Sequence, residues 1–139
     1  MTRNLARVFT ALALATVAVL AAPQAAQAAN KGAAIGKGSY LNKGDYLRKA
    51  VSGASYAVEL IMQQDGNLVL KRTNGHVCFA AGTAGRGHHA VYQRNGDFVV
   101  VNSSGSGIWH SNTVNYPGST VSIESNGDWY VGQKLMVGC

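Results

Sequence analysis

The stretch QQDGNLVL, residues 63–70, recurs as QRNGDFVV at residues 93–100 and as ESNGDWYV at residues 124–131. The three copies begin 30 and 31 residues apart. A nearly fixed period of this length is typical of one supersecondary unit that is repeated around a shared core. The repeat therefore predicts a threefold structure.

Each copy is centred on an Asx-Gly pair between apolar flanks, at residues 65–66, 95–96 and 126–127. Such a pair predicts a hairpin with a type I′ turn, in which both central residues need positive φ. Further turn signals at residues 74–75 and 104–107 make each unit a small antiparallel meander. Three meanders with one apolar face each can bury those faces only against one another, which predicts a prism of three sheets.

Short apolar or alternating runs, broken by Gly, Asn, Asp and Ser, predict strands along most of the chain. They cover residues 46–47, 56–62, 68–71, 77–80, 90–93, 98–101, 108–111, 120–124, 129–131 and 134–137. No window of helical length after the N-terminal segment keeps a 3.6-residue period. The predicted fold class is all-β.

The N-terminal segment has the features of a signal peptide. Arg3 and Arg7 precede an apolar run over residues 8–22, and Ala26-Gln27-Ala28 has the small-x-small form of a cleavage site. We expect residues 1–28 to be removed, Ala29 to begin the mature protein, and the product to be secreted without a membrane span. Residues 29–38 are mostly Gly, Ala and Lys, which predicts a flexible leader before a domain over residues 39–139.

Charge excludes one class of partner. The chain has 12 Lys and Arg against 6 Asp and Glu, and the net charge falls from +6 to +4 without residues 1–28. The positive residues of the remaining 111 are scattered, with no run longer than two. Nucleic-acid binding normally needs a basic patch or stripe, so we do not expect it.

The repeat resembles the Gln-x-Asp-x-Asn-x-Val-x-Tyr motif of the bulb-type, mannose-binding lectin family. A second mark of that family follows the middle copy, where residues 108–113 read IWHSNT. The resemblance covers residues 39–139. It implies a threefold β-prism of three antiparallel sheets and a non-enzymatic protein that binds mannose or mannose-containing glycans.

Candidate sugar-binding residues come from that resemblance, and their chemistry suits a sugar, which needs fixed acceptors, an amide and an apolar contact. In the first copy the resemblance implies that Gln63, Asp65 and Asn67 form hydrogen bonds with mannose hydroxyls and that Val69 touches the sugar ring. The second copy offers the equivalent set Gln93, Asn95, Asp97 and Val99.

No copy matches the family motif completely. The closing Tyr is replaced by Lys71, Val101 and Gly132 in the three copies, and the acid and amide are exchanged in the second and third. The third copy also has Glu124 in place of Gln and Tyr130 in place of Val. Motif completeness therefore ranks the first site above the second and predicts that the third is silent.

Two cysteines in an exported chain, Cys78 and Cys139, predict one disulfide. Each follows the second polar residue of its copy by 11 positions, and alignment of the repeats places Cys78 within one residue of Trp109. The family packs a ring at that position near its threefold axis, which implies that both thiols face the same centre. Two unpaired thiols, or a link between chains, are the alternatives.

The sequence gives little support for a catalytic function. Four histidines occur, His76, His88, His89 and His110, with no Gly-x-Ser-x-Gly elbow and no His or Cys spacing that suits zinc. The six acids are too dispersed for a paired-carboxylate glycosidase. We therefore expect no enzyme, no metal and no cofactor.

The sequence thus indicates a secreted lectin-like module, in which several sites or a homodimer would raise the avidity of weak binding. Two other readings stay open. The prism could dock an antimicrobial, bacteriocin-like protein on a competitor's envelope, or its sugar sites could have decayed and left a surface for binding proteins.

Overall fold

The computed structural model describes residue 18 and residues 27–139, and within that part all regular secondary structure is strand. The strands are β1 (Ala34–Gly36), β2 (Tyr40–Asn42), β3 (Tyr46–Ala50), β4 (Ala57–Met62), β5 (Leu68–Arg72), β6 (Val77–Ala80), β7 (His89–Tyr92), β8 (Phe98–Val101), β9 (Gly107–His110), β10 (Thr120–Ile123), β11 (Trp129–Val131) and β12 (Lys134–Val137). The all-β prediction is confirmed. The runs predicted from β3 onward match strands whose ends differ by no more than three residues.

The strands form three antiparallel sheets of four strands each, in the orders β3-β4-β5-β6, β2-β7-β8-β9 and β1-β10-β11-β12. We call them the first, second and third sheets, after the repeat that each contains. Three consecutive strands of every sheet come from one repeat, as the predicted meanders require. The fourth strand comes from residues 34–50, which pass through all three sheets in turn.

The N-terminal part of the domain differs from the predicted flexible leader over residues 29–38. Strand β1 lies within that range and pairs with β10, and residues 29–32 run beside β3 through backbone hydrogen bonds. The reason is that β1, β2 and β3 each bury one aliphatic side chain, Ile35, Leu41 and Leu47, while their neighbours are mostly exposed. In β1 and β2, which have three residues each, one buried apolar residue is too little to produce a recognisable sequence pattern.

The predicted signal peptide, residues 1–28, lies almost entirely outside the described residues. Within residue 18 and residues 27–139, the structure contains no helix long and apolar enough to cross a membrane.

The inner faces of the sheets meet in one core around a cluster of aromatic rings. Phe79, Phe98, Trp109 and Trp129 lie with ring centroids 5.2 to 6.5 Å apart. Trp129 is fully buried and Trp109 packs against the core. Both tryptophans are therefore core residues, and their rings are turned away from the outer faces of the sheets.

The hairpin turns differ from type I′. In the first copy the N–H of Gly66 donates to the carbonyl of Gln63, and Gly66 has φ of 89°. Among the described residues only Asn112 and Asn115 combine a side chain with positive φ, so Asp65 does not adopt the first conformation of a type I′ turn. The pattern is that of a three-residue loop, in which a tight turn is followed by a glycine in the left-handed region.

The predicted disulfide is confirmed: Cys78 and Cys139 are bonded, with Cα atoms 5.6 Å apart. Register places Phe79, not Cys78, in the position of Trp109, because Phe79 lies opposite Leu70 as Trp109 lies opposite Val100. The bridge joins the first sheet to the end of the third repeat. The side chain of Arg72 reinforces that link by donating to the carbonyl of Cys139 at 2.7 Å.

Candidate functional site

The first copy places its polar side chains around the tip of the β4–β5 hairpin. Met62 and Leu68 are fully buried. Because side chains alternate between the two faces of a strand, the next residues outward, Gln63 and Asn67, lie on the outer face. Asp65 is exposed in the loop between them. The three predicted hydrogen-bonding residues of this copy are thus brought together on one surface.

A buried threonine holds Asn67 in place. The N–H of Thr83 donates to Asn67 Oδ1 at 3.1 Å, and Thr83 Oγ1 donates to the carbonyl of Gly66 at 2.8 Å. The amide oxygen of Asn67 is therefore occupied, whereas its amide nitrogen has no hydrogen-bond partner among the described residues. A fixed amide with two unused donors is what a sugar hydroxyl needs for recognition.

The neighbours of Asn67 supply acceptors. One oxygen of Asp65 accepts the N–H of Asn67 at 2.9 Å, which leaves the other oxygen for a ligand. The side chain of Gln63 makes no hydrogen bond within the described part of the chain. Val69 is only 3% exposed and offers little area for contact with a ring.

Lys71, which occupies the position of the family's closing Tyr, lies in a row of charged side chains across the first sheet. Lys71 is paired in register with Glu59, which in turn pairs with Arg48. Arg48 Nη1 lies 3.1 Å from Glu59 Oε1. The missing tyrosine hydroxyl is therefore replaced by a cationic side chain beside an ion pair.

The second copy lacks the free groups of the first. Asp97, at the position of Asn67, accepts hydrogen bonds from Ser111 Oγ at 3.0 Å, from the N–H of Thr113 at 3.2 Å and from His110 Nδ1 at 2.9 Å. Its side chain is 7% exposed. Burial alone would raise the pKa of Asp97, but these hydrogen bonds and the charge of His110 together lower it below its ordinary value. The carboxylate therefore links the hairpin to the end of β9 and the residues after it through hydrogen bonds inside the domain.

Of the remaining candidates of the second copy, Val99 is inaccessible to a sugar, whereas Asn95 is exposed and Gln93 is half-buried. Val99 is fully buried, and a side chain on Gly107 would clash with the ring of His110 and approach Val99, so these three residues are packed together. Asn95 keeps only its turn role, accepting the N–H of Asp97 at 3.0 Å. Gln93 retains its place on the outer face, but without a free partner at Asp97.

The third copy lies beside a depression of about 510 Å³ on the outer face of the third sheet. Its lining includes the repeat residues Glu124, Asn126 and Tyr130, together with Thr120, Ser122 and Gln133. Sequence analysis overlooked the last three residues. The signal that could have found Thr120 and Ser122 is their alternation with buried Val121 and Ile123 in one strand; Gln133 lies in the turn between β11 and β12, where no such pattern marks it.

Equivalent threonines, Thr83 and Thr113, were also missed as parts of the sites. Each follows the second polar residue of its copy by 16 positions, and each donates its hydroxyl to the carbonyl of the turn glycine. Within the residues described, no group of three or more His, Cys, Asp or Glu side chains is placed to hold a metal ion.

Comparison with known proteins gave matches among solved structures. A scan against protein-family models and a search of curated protein sequences found none. The mannose-specific bulb lectin of Scilla campanulata (bluebell) has a TM-score of 0.60 and 22% identity, over 76% of this chain and 89% of that chain. A lectin from Allium sativum has a TM-score of 0.58 and 28% identity, over 73% and 96%. The snowdrop (Galanthus nivalis) mannose-specific agglutinin, solved with methyl-α-D-mannoside, has 0.56 and 26%, over 76% and 87%.

The chain has the fold of the bulb-type lectins. The predicted β-prism and the resemblance to these lectins are confirmed at the level of fold. The likeness supports a lectin-like, carbohydrate-binding function for this bulb-lectin-like domain.

Proposed function

We propose that this bulb-lectin-like domain binds mannose or mannose-containing glycans through the first copy of its repeat. The amide of Asn67 carries the proposal, because Thr83 occupies its oxygen while its two N–H donors have no hydrogen-bond partner among the described residues. Asp65 and Gln63 add acceptors within reach of the same ligand. The match to the family motif is better in this copy than in the second. The second copy also has a carboxylate, Asp97, in place of the amide, and both of its oxygens accept hydrogen bonds inside the domain.

One shallow site of this kind would reach about −4 kcal/mol, which corresponds to a dissociation constant near millimolar. Useful avidity then comes from more than one site or from a homodimer, since a second binding event on one glycan is intramolecular. The domain acts by binding alone, without catalysis.

A glycan array followed by calorimetric titration with a mannose oligosaccharide tests the proposal. Saturable mannose binding that competes with free methyl mannoside is expected. Binding to no glycan on the array, together with saturable binding to a protein partner, would favour a prism with decayed sugar sites. Growth inhibition of neighbouring bacteria by the purified protein would favour the envelope-docking reading.

We also propose that the protein is secreted after cleavage between Ala28 and Ala29. The basic start, apolar run and Ala-Gln-Ala sequence support this step. Intact-mass analysis of protein recovered outside the cells should find a chain that begins at Ala29. A chain that stays inside the cell with its first 28 residues would contradict it.

A further inference from the structure

The depression on the third sheet differs chemically from the first-copy surface. Glu124 stands where the first copy has Gln63, and Tyr130 stands where it has Val69. Glu124 is exposed, and one of its oxygens accepts the hydroxyl of Ser122 at 2.9 Å. The second oxygen of Glu124 has no hydrogen-bond partner among the described residues.

The balance of charge in the depression favours a cation. Its lining consists of Thr120, Ser122, Glu124, Ser125, Asn126, Tyr130, Gly132 and Gln133, of which only Glu124 is charged. Tyr130 is register-paired with Ser122 and partly exposed, so its ring lies on the same face as the carboxylate. A carboxylate next to an aromatic ring attracts a protonated amine, through a charge-assisted hydrogen bond and through the ring's negative face.

We propose that this depression binds an amino sugar with a free, protonated amino group. Its volume of about 510 Å³ is within the range of small-ligand sites. The hydroxyl and amide groups of Thr120, Asn126 and Gln133 match the hydroxyls of a sugar, while Glu124 takes the amine. This inference rests on the proposed function only in treating the prism as a sugar-binding scaffold, since it uses another sheet and another ligand.

Titration at pH 6 with three trisaccharides tests the assignment: glucosamine with free amines, N-acetylglucosamine, and mannose. The free-amine trisaccharide should bind about tenfold more tightly than its acetylated counterpart, the difference expected for one charge-assisted contact. Glu124→Gln should remove that preference because it keeps the shape and deletes the charge. Tyr130→Val should weaken the binding of both the glucosamine and the N-acetylglucosamine trisaccharide.

Glu59→Gln is the matched control, since Glu59 lies on the outer face of the first sheet. It should leave the preference for the free amine unchanged. Equal affinity for the amine and acetylated forms, or a preference that survives Glu124→Gln, would overturn the assignment. If mannose does not bind but the Glu124-dependent binding of the amine persists, only the proposed function is refuted. If mannose binds but the free amine shows no Glu124-dependent preference, only this inference is refuted.

A different observation concerns the predicted cleavage point. The backbone nitrogen of Ala29 donates to Asp45 Oδ1 at 3.1 Å, and the carbonyl of Ala29 accepts the N–H of Tyr46 at 3.0 Å. Asp45 is 4% exposed, and its other oxygen accepts the N–H of Asn42 at 3.0 Å. Lys31 Nζ lies 3.5 Å from that same oxygen.

We infer that cleavage before Ala29 creates an ammonium group that pairs with Asp45. Hydrolysis adds water across the Ala28–Ala29 bond: the hydroxyl goes to the carbonyl carbon of Ala28 and a proton goes to the nitrogen of Ala29. An α-amino group has an ordinary pKa of about 7.7 to 8.0, so this nitrogen takes a further proton near neutral pH. A neutral amide donor facing a buried carboxylate thereby becomes a charged one, and the processed chain holds its first residue against β3 more firmly.

The pairing should raise the pKa of the Ala29 amino group, although the charge of Lys31 opposes the rise. The stability that it contributes is present below the ordinary α-amino pKa and is lost as pH rises through the raised folded value. Titration of the amino group in secreted protein, followed by NMR, measures the shift directly. The pKa of the Ala29 amino group should be raised in the wild type and should return to its ordinary value in Asp45→Asn. It should stay raised in the control Asp65→Asn, which changes an exposed carboxylate. An N-terminus other than Ala29, or an amino group with its ordinary pKa in the wild type, would overturn the inference.

Discussion

The substitution Asn67→Asp separates the binding role of this residue from its structural role. The second copy shows that a carboxylate at this position still accepts the backbone N–H of the following threonine: the distance is 3.2 Å for Asp97 and Thr113, against 3.1 Å for Asn67 and Thr83. Asn67→Asp should therefore keep the hairpin tied to Thr83. What it removes is the amide donor on the outer face.

The expected cost to mannose binding is that of one hydrogen bond, about 0.5 to 1.5 kcal/mol, or about a two- to twelvefold rise in the dissociation constant. The new charge lies close to Asp65 and gives a sugar hydroxyl only acceptors, so the upper half of that range is expected. Calorimetric titration with a mannose oligosaccharide measures the change. A thermal melt of each variant checks that the fold is intact.

Asp128→Asn, at the same position of the third copy, is the control. Asp128 is already tied to Asn126, whose amide donates to it at 2.8 Å, and it does not line the depression. It should not change the affinity for mannose. Unchanged affinity in Asn67→Asp with an unchanged melting temperature, or an equal loss in both variants, would refute the reasoning that assigns the site to the free amide of the first copy.

Three further predictions concern stability. Tyr92→Phe should leave the free energy of unfolding in urea unchanged or raise it by up to about 3 kcal/mol, because the buried Tyr92 hydroxyl has no hydrogen-bond partner in the described residues; a loss above about 1 kcal/mol would contradict this. The lowered pKa of Asp97 stabilises the fold fully above the ordinary aspartate value of about 3.9, and the contribution is lost as pH falls through the lower folded value. Unfolding measured between pH 2 and 6 should thus show a shallower acid slope for Asp97→Asn, and parallel curves would count against it. Replacing Cys78 and Cys139 together by Ser should lower the free energy of unfolding by up to roughly 4 kcal/mol, since the bridge closes a loop of 61 residues; equal stability with and without the bridge would show that the unfolded chain is not restrained by it.

Much of the candidate site was predictable because it lies in one continuous stretch. Gln63, Asp65 and Asn67 are close in sequence, so a hairpin brings them together whatever the rest of the domain does. Whether the polar side chains of the second copy remain free for a ligand was not predictable from its sequence. Exchanging amide and acid at Asp97 looked like a small change, but His110 at the end of β9 and Ser111 directly after it bind the carboxylate inside the domain.

The third copy shows the opposite case. Its motif is the least complete, yet Thr120, Ser122 and Gln133 build a depression beside it from residues outside the motif. Sequence comparison along one stretch cannot register such neighbours, because they come from an adjacent strand and from the turn that follows.

The sequence alone determined the threefold architecture, the strands of each repeat and the disulfide, because each depends on local periodicity, turn residues or a count of cysteines. The tertiary structure decided what joins the repeats: Ile35, Leu41 and Leu47 are each the one buried residue of a short strand, and these strands pair with three different sheets. It also decided which polar groups remain free for a ligand. A hydrogen-bonding group becomes a binding group only when nothing inside the protein satisfies it, and its partners come from parts of the chain that meet only after folding.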